Sequence, residues 1–383
     1  VAVQADTLSN SKGLIQARDE LDLEIKQQLV NHNGRIISEQ GALSVQAQTI
    51  DNQEGVFASL LDQLTLSVRG LVNNQAGTVQ GQDVVVDAHE VANQGGGIYA
   101  QQQLIVSGHN LDNSAQGQIA ANTIDFSLTG ALNNQSGIVE ADHLYVTAHS
   151  VSNNQGRLRM LASTGDSVIR AESTFDNRNG SIETSNTNFA LDAPNLLNQS
   201  GSVAHAGSGQ FDVMSGHADN VGGTLASQGT LLVTSDSWEN STVFQAGALT
   251  LNVGQFTQTA SGQLIASHSL TATGDTWIND GLIASDGDLS LQLTGNYSGN
   301  GQVTSLGTMQ LSANQFTLGE QAVIYSDAAG RLDSQQLTNQ GHISAAGTLV
   351  INTQALNNQG SLGSAQQLSI STPYLSNDNG LIF

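Results

Sequence analysis

Three histidines, His89, His109 and His149, each stand four residues ahead of an asparagine (Asn93, Asn113, Asn153), and Arg69 holds the matching place before Asn73. Imidazoles at a fixed spacing bind a metal ion or respond to pH when folding brings them side by side. Gly130 interrupts this row, no HExxH places two histidines around a general base, and the chain has no cysteine. The row therefore reads as an outward polar stripe, and no metal ligand is assigned. Carbohydrate cleavage needs a carboxylate pair, or clustered Asp with Ca²⁺, beside a basic residue. The best carboxylate cluster, Asp286 with Asp288, has no Lys or Arg near it, and no Lys follows Lys26. No catalytic residue and no cofactor-binding residue is assigned, and the chain is read as not an enzyme.

Positive charge concentrates once. The stretch "RLRMLASTGDSVIRAESTFDNRNG" holds Arg157, Arg159, Arg170 and Arg178, which makes it the candidate contact for an anionic glycan or an acidic receptor. Pairing with Asp166, Glu172, Asp176 and Glu183 is the competing reading, because charges so close usually pair. Phe175, Trp238, Phe256, Trp277, Tyr297 and Phe316 offer planar faces on which sugars stack. Elsewhere Leu, Ile and Val fill the same slot, so an internal aromatic stack is expected instead.

All of these residues sit in one repeated phrase: an apolar residue, any residue, Asn, two or three residues, Gly, any residue, then an apolar residue. "LVNHNGRI" from Leu29, "IDNQEGVF" from Ile50, "VSNNQGRL" from Val151, "LTNQGHI" from Leu337 and "LSNDNGLI" from Leu375 are copies. From Gly13 to Gly380 is 380 − 13 = 367 residues, and 18 intervals give about 20 residues per repeat. Between phrases the text alternates with a period of two, as in "LTLSVRG" from Leu64 and "LSLQLTG" from Leu289. That pattern places aliphatic side chains on one face of a strand and polar ones on the other. One such coil cannot bury its apolar face alone, whereas stacked coils with parallel strands can. The expected fold is all-β: a parallel β-helix (solenoid) of about 19 coils with a repeat near 20 residues, continuous over residues 1–383. The spacing from Gly156 to Gly180 is 24 residues, so residues 157–178 are expected to form an irregular coil with a protruding loop.

The Asn of the phrase is expected to form a structural ladder, each amide bonding its counterpart one coil away. The rungs assigned are Asn10, Asn31, Asn52, Asn73, Asn93, Asn113, Asn134, Asn153, Asn177 and Asn198. The Gly supplies either a positive φ or a close approach of neighbouring backbone.

Composition narrows the partners. Ten basic residues against 33 acidic ones give a formal charge of −23, which repels nucleic acid and anionic membrane surfaces. No apolar run reaches the length of a membrane span, so no membrane insertion by this segment is expected. The absence of cysteine suits passage through an oxidising compartment. Val1 and Phe383 fall within repeats, so a fragment of a longer filament is expected.

The phrase "LxNxxGxIxA" followed by "LxLxA" text, seen in "LDNSAQGQIAA" from Leu111 and "LTNQGHISAAGTLVINT" from Leu337, resembles the haemagglutinin repeats of filamentous haemagglutinin-like exoproteins. The resemblance covers essentially all 383 residues. It implies a right-handed winding of the β-helix and secretion to the surface of a Gram-negative bacterium through an outer-membrane two-partner transporter. It also implies a stalk that presents an adhesive or toxin-delivery element, as in adhesins and contact-dependent growth inhibition exoproteins. The partners implied are a receptor or glycan on a host or neighbouring bacterial cell. Two alternatives remain beside the stalk: the segment is itself the receptor- or glycan-binding surface, or it is a carbohydrate-active β-helix enzyme.

Overall fold

The computed structural model describes all of residues 1–383; it is built of strands and turns, without helix. Two compact units are formed, Val1–Pro194 and Asn195–Phe383. Both are parallel β-solenoid, together about 19 turns at a spacing near 20 residues.

One coil of the first unit shows why the sequence winds as it does. The short strand Val56–Ser59 follows Gly55, a bend over 60–62 redirects the chain, and the long strand Leu64–Asn73 follows. That strand bends at Arg69 and Gly70, where the register slips by one residue against the next coil. A second turn through Asn74 and Gly77 then opens the next short strand, Thr78–Gly81. The alternation of the long strand, buried at Leu64, Leu66 and Val68 and open at Thr65, Ser67 and Arg69, is the two-residue period of a half-buried strand.

Parallel, in-register pairing repeats this burial from coil to coil. Ile36, Phe57 and Val79 stack in one internal column, and Leu43, Leu64 and Val84 in another. Leu111, Leu132, Val151 and Phe175 form a third. Each is almost fully buried. A fully buried aliphatic side chain contributes about 1.5–3 kcal/mol, and it does so only when the next coil covers it.

The second unit keeps this plan with larger residues in one column. Trp238, Phe256, Trp277, Tyr297 and Phe316 follow one another in register and all are buried. Phe256 and Trp277 lie 4.6 Å apart between ring centroids, and Tyr297 and Phe316 5.6 Å. Gly274 makes room for this column: a Cβ there would lie 2.5 Å from Trp277 Nε1. These five aromatic residues, and Phe175 in the first unit, are core, and none offers its face to solvent.

Candidate interaction surfaces

The buried asparagines of the first unit bond one another in a continuous chain. Asn10 Nδ2 donates to Asn31 Oδ1 at 2.8 Å, Asn31 to Asn52 at 2.7 Å and Asn52 to Asn74 at 2.7 Å. The series continues through Asn93, Asn113, Asn134, Asn153 and Asn177 at 2.7 or 2.8 Å. Each amide also serves backbone: Asn31 Nδ2 reaches Gly34 O and Val56 O at 3.2 and 3.1 Å. Carbonyls that a tight turn would otherwise leave buried and unpaired are satisfied in this way.

One rung differs from the sequence assignment. In the coil "LVNNQAG" the ladder runs through Asn74, which is completely buried, and not through Asn73. Asn73 points outward, donates to Asp51 Oδ1 at 3.0 Å, and accepts from Gln75 N at 3.2 Å. It closes an Asx turn in front of the ladder residue, as do Asp51, Asp112 and Asn133 in their coils. The landmark glycine works by close approach. A Cβ on Gly34 would stand 2.1 Å from Asn10 O, and one on Gly55 2.2 Å from Asn31 O. The positive φ falls one residue earlier, at Asn33 (53°) and Glu54 (54°).

Arg157 and Arg159 share the outward face of the strand Arg157–Met160, whereas Arg170 lies on the strand Asp166–Asp176 and Arg178 in the turn after it. Arg159 pairs with Glu140 and, at 3.5 Å, with Glu183, bridging three coils. Arg170 Nε lies 3.1 Å from Asp192 Oδ2, and Arg178 NH2 2.7 Å from Asp176 Oδ2. Burial pushes the Asp176 carboxyl up, but the hydrogen bonds and charge of Arg178 outweigh it and hold the group below its ordinary range. Arg157, exposed between Ile138 and Ser181 in register, forms no ion pair. The added residues of this coil lie at 161–165, where the chain leaves strand Arg157–Met160 and re-enters at Asp166. Buried Asn186 holds that loop by donating to Ala162 O at 2.8 Å and Asp142 O at 2.9 Å.

A feature with no sequence motif emerges from the bend in the long strands of the first unit. There the stacked coils form an open groove of about 1190 Å³ running from Gln4 to Thr129. Its floor is a row of small or apolar residues, including Ala5, Ala47, Val68, Ala88 and Gly108. One wall carries Gln4, Glu24, Gln46, Ser67 and Asp87; the other carries Asp6, Lys26, Gln48, Arg69, His89 and His109. The histidine row thus borders a cleft. His89 and His109 stack with centroids 5.1 Å apart and planes 12° apart, and His109 Nδ1 lies 3.0 Å from Thr129 Oγ1. Thr129 occupies the row where Gly130 had marked a gap, and His149 faces Glu172 at 3.6 Å. Lys26 is held by Asp6 at 2.8 Å, whereas Arg69 makes neither ion pair nor hydrogen bond. A smaller groove of about 650 Å³ recurs at the same bend of the second unit, between Leu293 and Pro373.

The family model of the haemagglutinin repeat matches residues 1–62, 61–136, 106–179, 141–237, 245–341 and 327–382. The chain belongs to the haemagglutinin-repeat family. It is similar to the Deoxyribonuclease CdiA of Dickeya dadantii (strain 3937), 29% identical over 326 residues, covering 83% of this chain and 9% of that protein. It is also similar to the Toxin CdiA of Escherichia coli, 27% identical over 401 residues, covering 92% of this chain and 12% of that protein. The chain therefore spans about a tenth of the length of these relatives. No solved structure matches it. Haemagglutinin repeats and relatives of this kind indicate a repeat segment of a secreted cell-surface exoprotein of Gram-negative bacteria.

Within the haemagglutinin repeats of the second unit the ladder changes its chemistry and keeps its geometry. Asn198 donates to Asn220 at 2.6 Å and Asn220 to Asn240 at 3.4 Å. Gln258 then takes the asparagine's place, accepting from Asn240 and donating to Asn279. Asn279 Nδ2 bonds the Tyr297 hydroxyl at 3.0 Å, and burial pushes that phenol well above its ordinary pKa. The next coils put Gly299 and Leu318 in the row, and the ladder resumes with Asn339 bonded to Asn358 at 2.8 Å. A second ladder lay unrecognised in the sequence. Ser285, Ser305 and Ser326 are buried at one corner, and their hydroxyls donate to turn carbonyls at 2.8–3.3 Å. Their signal is a serine closing each short strand, as in "IAS", "VTS" and "IYS".

Proposed function

We propose that this segment is a non-catalytic structural stalk of a cell-surface filament, presenting an adhesive or toxin-delivery element carried elsewhere in a longer exoprotein. Export through an outer-membrane two-partner transporter and contact with a host or neighbouring bacterial cell belong to the same reading. The observation that carries it is the buried amide ladder. Coil after coil, the most recurrent polar residue is engaged with its own counterparts and with backbone, so repetition serves length and rigidity. The arginine coil supports the same view, since Arg159, Arg170 and Arg178 are engaged by carboxylates.

The test is a coil exchange in bacteria that carry the longer exoprotein. Residues 157–178 are replaced by a copy of residues 138–154, which the register aligns with them from Ile138↔Arg157 to Ser152↔Asp176. A stalk predicts unchanged surface display and unchanged attachment or inhibition of target cells. Normal display with lost attachment would refute the stalk reading for this coil and assign binding to Arg157, Arg159, Arg170 and Arg178.

A further inference from the structure

We infer that the second unit pairs with the second unit of another copy of this chain, face to face and antiparallel, through the sheet formed by its short strands. This goes beyond the stalk reading, which stands whether or not the copies pair.

The first argument is where charge is missing. The outward residues of the short strands form two columns, one through Val243, Leu282 and Val323, the other through Ile265, Ala284 and Tyr325. Over the nine coils from Ser202 to Gly363 neither column contains Asp, Glu, Lys or Arg. The outward positions of the short strands in the first unit hold Arg35, Glu140, Arg157, Arg159 and Glu183. In the second unit acidic residues stand at the rims of the sheet instead, Asp280 and Glu320 in turns before the strands, Asp286 and Asp327 after them. An uncharged centre with a charged rim is the anatomy of an interface. On a chain of net charge −23, such a sheet is a face on which two copies can meet without burying like charge.

The second argument is symmetry, and it selects the partner. The first column reads alike from both ends. About Leu282, Gln263 is matched by Gln302, Val243 by Val323, Thr224 by His342 and Ser202 by Ser361. A two-fold axis parallel to the strands and passing over Leu282 lays each residue on its match in the other copy: Leu on Leu, Gln on Gln, Val on Val. Such self-complementarity defines an isologous contact, and a partner of different sequence would not require it. The second column fits the same axis by size. Ala284 meets itself, Ile265 meets Thr304, Gln245 meets Tyr325, and Ala226 meets Ser344. The facing amides of Gln263 and Gln302 donate and accept in turn.

The third argument is area. Nine coils about 4.8 Å apart, with strands of four residues at about 3.3 Å each, give a patch of roughly 40 by 13 Å. A pair of copies then buries on the order of 1,000 Å², the lower bound for a specific interface. The pairing is therefore weak and reversible.

The experiment is sedimentation velocity on the 383-residue chain over a concentration series, at low and at physiological salt. A monomer–dimer equilibrium is expected, and it tightens with salt, since screening relieves the facing Asp280 and Asp286 rims. Leu282→Asp is expected to weaken dimerisation at least about tenfold, because one change sets two carboxylates against each other on the axis. Gln263→Glu/Gln302→Glu is expected to weaken it likewise, whereas Gln263→Lys/Gln302→Glu, which sets opposite charges across the axis, retains the dimer. Thr257→Glu/Thr317→Glu, at exposed positions on another face, leaves it unchanged. All four variants are expected to keep the parent circular dichroism melt. A chain that stays monomeric at every concentration overturns the proposal. So does association that salt weakens, that Leu282→Asp leaves intact, or that responds equally to Gln263→Glu/Gln302→Glu and Gln263→Lys/Gln302→Glu.

Discussion

Asparagine does two separate jobs in this chain, and they differ by one position. The outer Asx residue closes a turn in contact with water, while the inner one is buried and ties three coils together. Asn93 illustrates the second job: its Oδ1 accepts from Asn74, and its Nδ2 serves Asn113 Oδ1 and Gly96 O. Asn93→Ala leaves buried donors and acceptors unpaired at once, and a loss of about 2–4 kcal/mol is expected in urea unfolding. Asn73→Ala removes only surface bonds, and its expected loss is below about 1 kcal/mol. Equal losses for the two variants would contradict the assignment of Asn74 as the rung. The sequence made the ladder legible because its Asn–Gly spacing recurs. Where two asparagines adjoin, as at Asn73–Asn74, type alone does not say which one turns inward. The ion pairs were legible only in part: Glu140 and Asp192 reach Arg159 and Arg170 from neighbouring coils, 19 and 22 residues away.

At the scale of the element, a strand's inward residues form a column, and each column tolerates only what its neighbours leave room for. Trp238 and Trp277 occupy the same column with different polar outcomes. Trp277 Nε1 donates to Val253 O at 2.9 Å, whereas Trp238 Nε1 is buried without a partner. Both Trp→Phe changes lose similar apolar volume, but only Trp277→Phe also breaks a buried hydrogen bond. Thermal or urea unfolding is expected to show Trp277→Phe more destabilising than Trp238→Phe by about 1–2 kcal/mol; the reverse order would contradict the packing described. The interior location of the aromatic slot was legible because Leu and Val fill it in other coils. The groove was not, since its walls are ordinary polar residues that no motif links. They meet only because the strand bend recurs at one place in every coil.

At the scale of the whole molecule, the coil is the unit of both stability and length. Within each unit pairing partners lie about 20 residues apart and a coil is covered by the next, so stability is expected to behave as a sum of nearest-neighbour terms. With no cysteine in the chain, no disulfide ties one coil to another, and the stacking contacts alone hold the coils together. The claim on which everything rests is that neighbouring coils stack in register, and deletion tests it directly. Val56 aligns with Thr78, so removing residues 56–77 takes out one coil and sets Thr78 where Val56 stood, with Asn93 brought beneath Asn52. Removing residues 56–66 takes out half a coil and puts polar positions into the core columns. Urea unfolding followed by circular dichroism is the decisive measurement: the whole-coil deletion is predicted to keep a cooperative β transition near the parent midpoint, and the half-coil deletion to lose it. Equal behaviour of the two deletions would contradict the account.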